Sequence, residues 1–433
     1  MNNFGKYIVL VNIENDTPKV RQQFSPPFGL LIAASVLQRN NVNVIVRHII
    51  NTKESLKELL TISKDAIAVG FSTMTSQNLL SAIEASHMLH NLGIYVFWGG
   101  PHATLLPEIV LKDLSIDAVL RGEAEANLYE FYKWRTGEIK DDEVPGLCHK
   151  GNDGIIKIRP IPPLVDANSL GYHPFELLNI NKYLDKPIPL HKNFIPGNVI
   201  PIMTSKGCVK RCAFCYNTVV NKSKWRPYDI ERVFYEMDYL VSTYNITGWL
   251  FYDDNLFIDS ERAFEIIERY KMPSSVEIDL NRVTPLFLER AKKANISKVY
   301  IGIESGSDSM LKRMHKGISK EMVREKAKLI GEFELNVDFS FMIMLPHESD
   351  SELIETFDLI HELETYPYIK IDGPKCYNPY PGTEFYLQLV NSGWEPPGSN
   401  EEWAKFVRKI SPLETGLSIS ERKLEILKNE HII

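Results

Sequence analysis

Two α/β units in series are predicted for this 433-residue chain: a doubly wound, Rossmann-like parallel sheet, then six strand-helix repeats with a short helical part at the C-terminal end. Three observations carry that expectation. Short apolar runs alternate with helix-length segments over the first 135 residues, a proline-rich stretch without periodicity interrupts them, and the alternation resumes at Val199. The expected divisions are therefore residues 1–135, a linker at 136–195, a second domain at 196–385 and a small region at 386–433. A composition of 44% hydrophobic and 24% charged residues is that of a folded protein with a substantial core.

In the first unit the strands are expected at Tyr7-Ile8-Val9-Leu10-Val11, Val42 to Val46, Ala66 to Gly70, Ile94 to Trp98 and Ala118 to Leu120. Pro26-Pro27-Phe28-Gly29 opens a helix that places Leu30, Leu31, Ala34 and Leu37 on one face. Ligands of such sheets bind at the carboxyl ends of the strands. Those ends carry Ser72-Thr73-Met74-Thr75, Gly99-Gly100-Pro101-His102 and Arg121-Gly122-Glu123, each of which, taken singly, also reads as a tight turn. The linker holds the acidic run Asp141-Asp142-Glu143 and a hairpin near Gly146 to Ile158.

The second set of strands is expected at Val199 to Met203, Trp249 to Tyr252, Val276 to Leu280, Lys298 to Gly302, Val337 to Ile343 and Tyr368 to Ile371. Alternation alone would fit another doubly wound sheet. The loop after the first of these strands separates the two: Cys208, Cys212 and Cys215 form C-x3-C-x2-C at its C-terminal end, where a parallel barrel has its site. Three thiolates can hold three irons of a cubane cluster and leave the fourth open for a ligand. A structural zinc site needs a fourth Cys or His at short spacing, and Cys148 and Cys376 are both distant. Inert buried thiols fit poorly with Lys210 and Arg211 between them, because cations stabilise thiolates.

With Tyr216 after the third cysteine, this loop resembles the cluster loop of the radical S-adenosylmethionine (SAM) superfamily. The resemblance implies a partial (β/α)6 barrel, a 4Fe-4S cluster and SAM, whose reductive cleavage gives a 5'-deoxyadenosyl radical. Gly302-Ile303-Glu304-Ser305-Gly306 is similar to a family segment, which implies that Glu304 and Ser305 hold SAM. Tyr216 counts with them as a cofactor contact. Arg282 stands where the family offers an arginine to the methionine carboxylate, a bidentate task; a surface ion pair is its competing role. Met344-Leu345-Pro346-His347-Glu348-Ser349 departs from the family's Gly-Leu-Pro-Gly-Glu-Thr, and the two side chains in place of glycine are expected to fill space above the barrel. Cys376 precedes a segment similar to the one that closes these barrels. It reads either as a small buried residue or as a catalytic thiol returning a hydrogen atom to a substrate radical.

The first 135 residues resemble the cobalamin-binding domain found upstream of many radical SAM enzymes. The resemblance implies that Ser72, Thr73, Thr75, Gly99, Gly100, His102, Gly122 and Glu123 surround cobalamin. No D-x-H-x-x-G run occurs, so the lower face of cobalt is expected to lack a histidine, with His102 a turn residue or corrin contact. Together these imply a cobalamin-dependent methyltransferase acting on an unactivated carbon. The alternative is a radical epimerase, cyclase or ring-rearranging enzyme using Cys376. A small-molecule or peptide substrate and an electron donor such as flavodoxin or ferredoxin are the implied partners. A net charge of -7 speaks against nucleic acid, no apolar stretch reaches the length of a membrane span, and five cysteines without a disulfide pattern suit the cytoplasm.

Overall fold

The first strand, β1 (Tyr7–Glu14), is apolar on both faces, and Ile8, Val9, Leu10 and Val11 are all buried. That pattern belongs to the centre of a parallel sheet covered on both sides. Accordingly β1 pairs in parallel with β2 (Asn43–Ile50) on one edge and β3 (Ala68–Ser72) on the other. β4 (Val96–Gly99) and β5 (Ala118–Leu120) continue the sheet in parallel. The computed structural model describes residues 7–17, 25–151, 154–169, 171–184, 188–190, 194–195, 197–408 and 419–432. The strand order reverses at β1, so right-handed crossovers send successive helices to opposite faces, as in a doubly wound sheet. The helix Phe28–Arg39 buries Leu30, Leu31, Ala34 and Leu37 as its periodicity requires.

Two parts of this unit lie outside the stretch expected to form it. Leu147–Lys150 (β6) and Ile156–Lys157 (β7), placed in the linker by their surrounding prolines, join the sheet antiparallel beyond β5. Residues 396–408 also cluster with the chain up to Tyr183, not with residues 184–395. Their helix, Asn400–Arg408, packs on Leu79–His90 and carries the fully buried Trp403.

The second unit contains one six-stranded parallel sheet: β8 (Val199–Ile202), β9 (Gly248–Phe251), β10 (Ser274–Glu277), β11 (Ile296–Glu304), β12 (Asn336–Ile343) and β13 (Ile369–Cys376), side by side in chain order. With no reversal, right-handed crossovers put every connecting helix on the same face. The opposite face has no helical cover and becomes the interior of an open barrel. β11 shows the division: Val299, Ile301 and Ile303 are buried toward the helices, while Lys298, Tyr300, Gly302 and Glu304 alternate with them. The interior is polar, with Lys298 paired to Asp338 at 2.6 Å and the Tyr300 hydroxyl donating to Asp372 at 2.7 Å.

At the ends of β11 and β12 three non-glycine residues take left-handed backbone: Glu304 (φ 77°), Met344 (φ 63°) and His347 (φ 56°). Met344 and His347 stand where the family pattern has glycine, so the turn is kept at a conformational cost of ~1–2 kcal/mol each. Met344 is buried and fills space, as expected, whereas His347 is exposed and fills none. His347→Gly should therefore raise stability, by about 1 kcal/mol or less once the added freedom of the unfolded chain is counted. A urea unfolding midpoint measures this, and a lowered midpoint would mean that the imidazole holds the turn.

Candidate active site

The cysteine loop is shaped by backbone constraints at its entry. Gly207 has φ 80°, and a Cβ there would lie 2.2 Å from the Lys224 carbonyl, so only glycine fits. Its N–H donates to Asp254 at 3.0 Å. Asn217 clamps Cys208, accepting from its N–H at 3.2 Å and donating to its carbonyl at 2.9 Å. Beneath the loop Asp253, 1% exposed, accepts from the Thr204 N–H at 3.1 Å, the Thr204 hydroxyl at 2.9 Å and the Ser205 hydroxyl. Burial still pushes its carboxyl up to about 6. Arg262 ties the same turn to the Tyr228 carbonyl at 2.7 Å.

The three cysteines line one cavity of about 260 Å³, together with Lys210, Asn217, Asp254, Asn255, Glu277, Asp279, Tyr300, Glu304 and Lys316. Burial raises all three thiols, Cys215 to about 12. Burial, then the neighbouring Asp254 and Asp253, pushes Glu277 up to about 7. Against the cost of burial, Lys210 holds Asp279 below the usual carboxylate range, and Glu304 keeps Lys316 raised. Lys210 is ion-paired with Asp279, and Lys316 with Glu304 at 3.4 Å. The Asn255 amide lies 3.9 Å from the Cys208 sulfur, and its buried oxygen has no partner among the described residues.

These residues fit a cubane cluster. Three sulfurs share a cavity wall, and one of them receives N–H donors from Lys210 at 3.5 Å and from Asn255. Among the described residues no three His, Cys, Asp or Glu side chains group around a single ion, as one thiolate per iron does not require.

The other expected residues divide. Glu304 lines the cavity because Gly302 leaves room for it: a Cβ on Gly302 would fall 2.1 Å from the Glu304 carboxylate. A register shift between Gly302 and Glu304 turns the side chain back toward Lys316. Ser305 lies elsewhere. It is fully buried, with its hydroxyl 3.1 Å from that of Thr356 and accepting the Ser307 N–H, and does not line the cavity. Arg282 is exposed and donates to the Ile258 carbonyl at 3.3 Å, outside the cavity lining. Tyr216 packs against Tyr380 at 5.9 Å, outside the cavity lining. Cys376 ends β13, also outside that lining; burial, then Glu348, raises its thiol to about 11.

In the N-terminal unit, Thr73 donates from both its N–H and its hydroxyl to the Gly99 carbonyl at 2.9 Å. Gly100, at φ 87°, would place a Cβ 2.6 Å from the Thr73 carbonyl, so its freedom serves this close approach. His102 is closed off: it is fully buried, 3.0 Å from the Thr75 hydroxyl and 3.2 Å from the Asn400 side-chain amide oxygen. Burial lowers it to about 4, and it offers no imidazole to a ligand. Thr75 is buried with it. Gly122 sits under Pro162, and Glu123 accepts the Val165 N–H at 2.9 Å. Ser72, Gly99 and Gly100 stay partly exposed, and a Cβ on Gly99 would meet only the Leu120 carbonyl, at 3.7 Å. That open strand end fits a corrin held by surface contact without a protein histidine.

Residues 202–360 match the Radical SAM superfamily and residues 19–131 the B12 binding domain. The chain therefore carries a B12 binding domain followed by a radical SAM domain. A radical SAM domain implies a 4Fe-4S cluster and SAM, and a B12 binding domain implies cobalamin. It is 27% identical to an uncharacterized methyltransferase of Pyrococcus horikoshii, over 88% of this chain and 82% of the relative. It is also 24% identical to an anaerobic magnesium-protoporphyrin IX monomethyl ester cyclase of Cereibacter sphaeroides, over 67% of this chain and 48% of that one. In fold it resembles the radical SAM methyltransferase TsrM of Kitasatospora setae, with TM-score 0.68 and 14% identity, covering 92% of this chain and 81% of that one.

Asn217, Glu277 and Lys316 were not anticipated. Asn217 lies two residues past Cys215 and so had a signal in its spacing. Lys316 had none, because it comes after the short helix Asp308–Arg313, well beyond any strand end. Burial favours the protonated thiols, and each must lose its proton to bind iron, so cluster assembly should release protons and iron affinity should rise from pH 7 to 9. Chelator competition across that range measures it, and a flat profile would contradict it. Asn255→Leu removes a donor to the Cys208 sulfur and should lower the cluster midpoint potential, read by redox titration with electron paramagnetic resonance. An unchanged potential would show that the amide does not tune the cluster.

Proposed function

We propose that this enzyme transfers a methyl group to an unactivated carbon of a small-molecule or peptide substrate. The observation that carries the reading is the presence, in one chain, of a B12 binding domain and of a cavity lined by three cysteines. When bound, the cluster and SAM supply radical initiation, and the corrin supplies the methyl group. Cys208, Cys212 and Cys215 hold the irons. Asp254 and Asn217 fix the loop that presents them. The Lys316–Glu304 pair keeps opposite charges together in the cavity wall, where SAM brings both an ammonium and a carboxylate. Glu277, raised to about 7 by burial, then by Asp254 and Asp253, gains and loses its proton near neutral pH. In the first unit Ser72, Gly99 and Gly100 line the corrin edge.

A low-potential electron donor completes the system, and the cytoplasm is the compartment proposed, because the cysteines are all free and one thiol set must stay reduced. No helix among the described residues is long and apolar enough to cross a membrane.

A second reading, cyclisation, epimerisation or ring rearrangement, rests on Cys376 and on the likeness to a cyclase. The test uses protein reconstituted without oxygen and loaded with hydroxocobalamin, given SAM labelled in its methyl group. Wild type should retain cobalamin and pass label to product. Cys208→Ala should lose the cluster yet keep cobalamin, and Cys376→Ala should continue to methylate. Retention of neither corrin nor label, in protein that still forms deoxyadenosine, would remove methyl transfer. Loss of product in Cys376→Ala alone would favour the second reading.

A further inference from the structure

The chain is acidic, yet its cations are not spread evenly. Residues 203–228, which contain the cysteine loop, hold six cations and no Asp or Glu. The structure gathers them. Ser205 and Lys206 pair antiparallel with Pro227 and Arg226, closing the excursion at its base. Within it the turn at 221–224 lies against Gly207, the residue before Cys208: a Cβ on Gly207 would be 2.2 Å from the Lys224 carbonyl and 3.0 Å from the Asn221 Cβ. The two ends of the excursion therefore share one neighbourhood with the first cysteine.

Elsewhere in this unit four arginines are neutralised: Arg290 by Glu261 and Glu268, Arg313 by Glu352, Arg324 by Glu362 and Arg269 by Asp238. Around the cysteines, Lys210 faces Asp279 and Arg226 donates to Asn221. Arg211, Lys222 and Lys224 are exposed and make no ion pair among the described residues. Between Cys208 and Cys212 Val209 is 51% exposed, an apolar contact point set among those charges. An unneutralised cationic surface with an apolar centre, on the loop that carries the redox ligands, is suited to an acidic macromolecule that must come close to the cluster. The overall charge of -7 repels nucleic acid beyond this patch, whereas a compact acidic protein can dock on the patch alone.

We propose that Arg211, Lys222 and Lys224, around Val209, form the docking surface for an acidic one-electron carrier protein. This rests on the reading of the three cysteines as cluster ligands. In the step served by the complex, a flavin hydroquinone gives up one electron and becomes the semiquinone, and the cluster passes from the 2+ to the 1+ state.

The probe is an acidic flavodoxin. Binding of its oxidised form to cluster-loaded enzyme is measured by fluorescence at low and high salt, and the hydroquinone is used to reduce the cluster, monitored by absorbance. K222E and K224E, singly and together, should weaken binding and slow reduction, the double variant about tenfold or more at low salt, and should flatten the salt dependence. K292E/K293E, on the exposed end of the helix Pro285–Lys293, should change neither. Cluster content and deoxyadenosine formation with dithionite should match wild type in every variant, which separates this proposal from the functional reading: loss of dithionite activity in wild type would sink that reading, not this one. Wild-type affinity and rate in K222E/K224E, or an equal loss in K292E/K293E, would overturn the docking surface.

Discussion

Two adjacent aspartates after β9 decide where the cysteine loop lies. Asp253 is turned inward and buried, where a carboxylate without partners would be very costly. It is tolerated because three donors from Thr204 and Ser205 converge on it, with Arg262 bonded to the Thr204 carbonyl at 3.0 Å. Asp254, one residue on and at the start of a turn, holds the Gly207 N–H and lines the cavity. The end of β9 is thereby fastened to the end of β8 by one carboxylate and to the loop by the other. Gly207 can take up its left-handed conformation against Lys224 because both anchors lie beside it.

The rest of the cavity depends on strand order. A sheet whose strands succeed one another without reversal has helices on one face only, and in this chain the other face carries Lys298, Asp338, Tyr300, Asp372 and Glu277. A closed barrel with an apolar interior would pack those positions with Val, Ile and Leu. Six strands leave the ladder open, and charged pairs across neighbouring strands replace the missing apolar layers near the mouth. Three thiols, two ammonium groups and four carboxylates share that space, and their ionisation is set by burial and by which partner each one faces.

Strand positions and the cysteine loop were legible in the sequence because each depends on local pattern: β-branched runs of the right length, and three thiols at fixed spacing after one of them. The strand order that makes a barrel arises from non-local pairing, so the alternation left it open and only the cysteine loop, through the family it resembles, pointed to it. Site residues were legible only where the backbone itself aims them. Glu304 reaches the cavity because Gly302 and the register shift make room for it. Ser305, its neighbour, must point the other way along the strand end, and Thr356 takes its hydroxyl. His102 illustrates the same limit in the first unit. Its place after two glycines suggested a ligand contact, but a helix from the far end of the chain brings Asn400 and Trp403 over it. Nothing near residue 102 in the sequence announces that helix.

The turn after β12 shows how a departure from a family pattern acquires physical meaning. Met344 and His347 keep the left-handed backbone that glycine would adopt freely, so the turn geometry itself has not been exchanged. Glu348 holds it: buried and pushed up to about 7, it accepts the Met344 N–H at 2.9 Å while its own carbonyl receives Lys423 at 2.6 Å. Hydrogen bonds to a buried group of that kind exceed the ~1–2 kcal/mol that a left-handed methionine costs. The side chain at 344 can then vary without loss of the turn. In this chain the space is occupied by a thioether, next to the strand that ends in Cys376, whose thiol is held in its protonated form by burial and by that same Glu348.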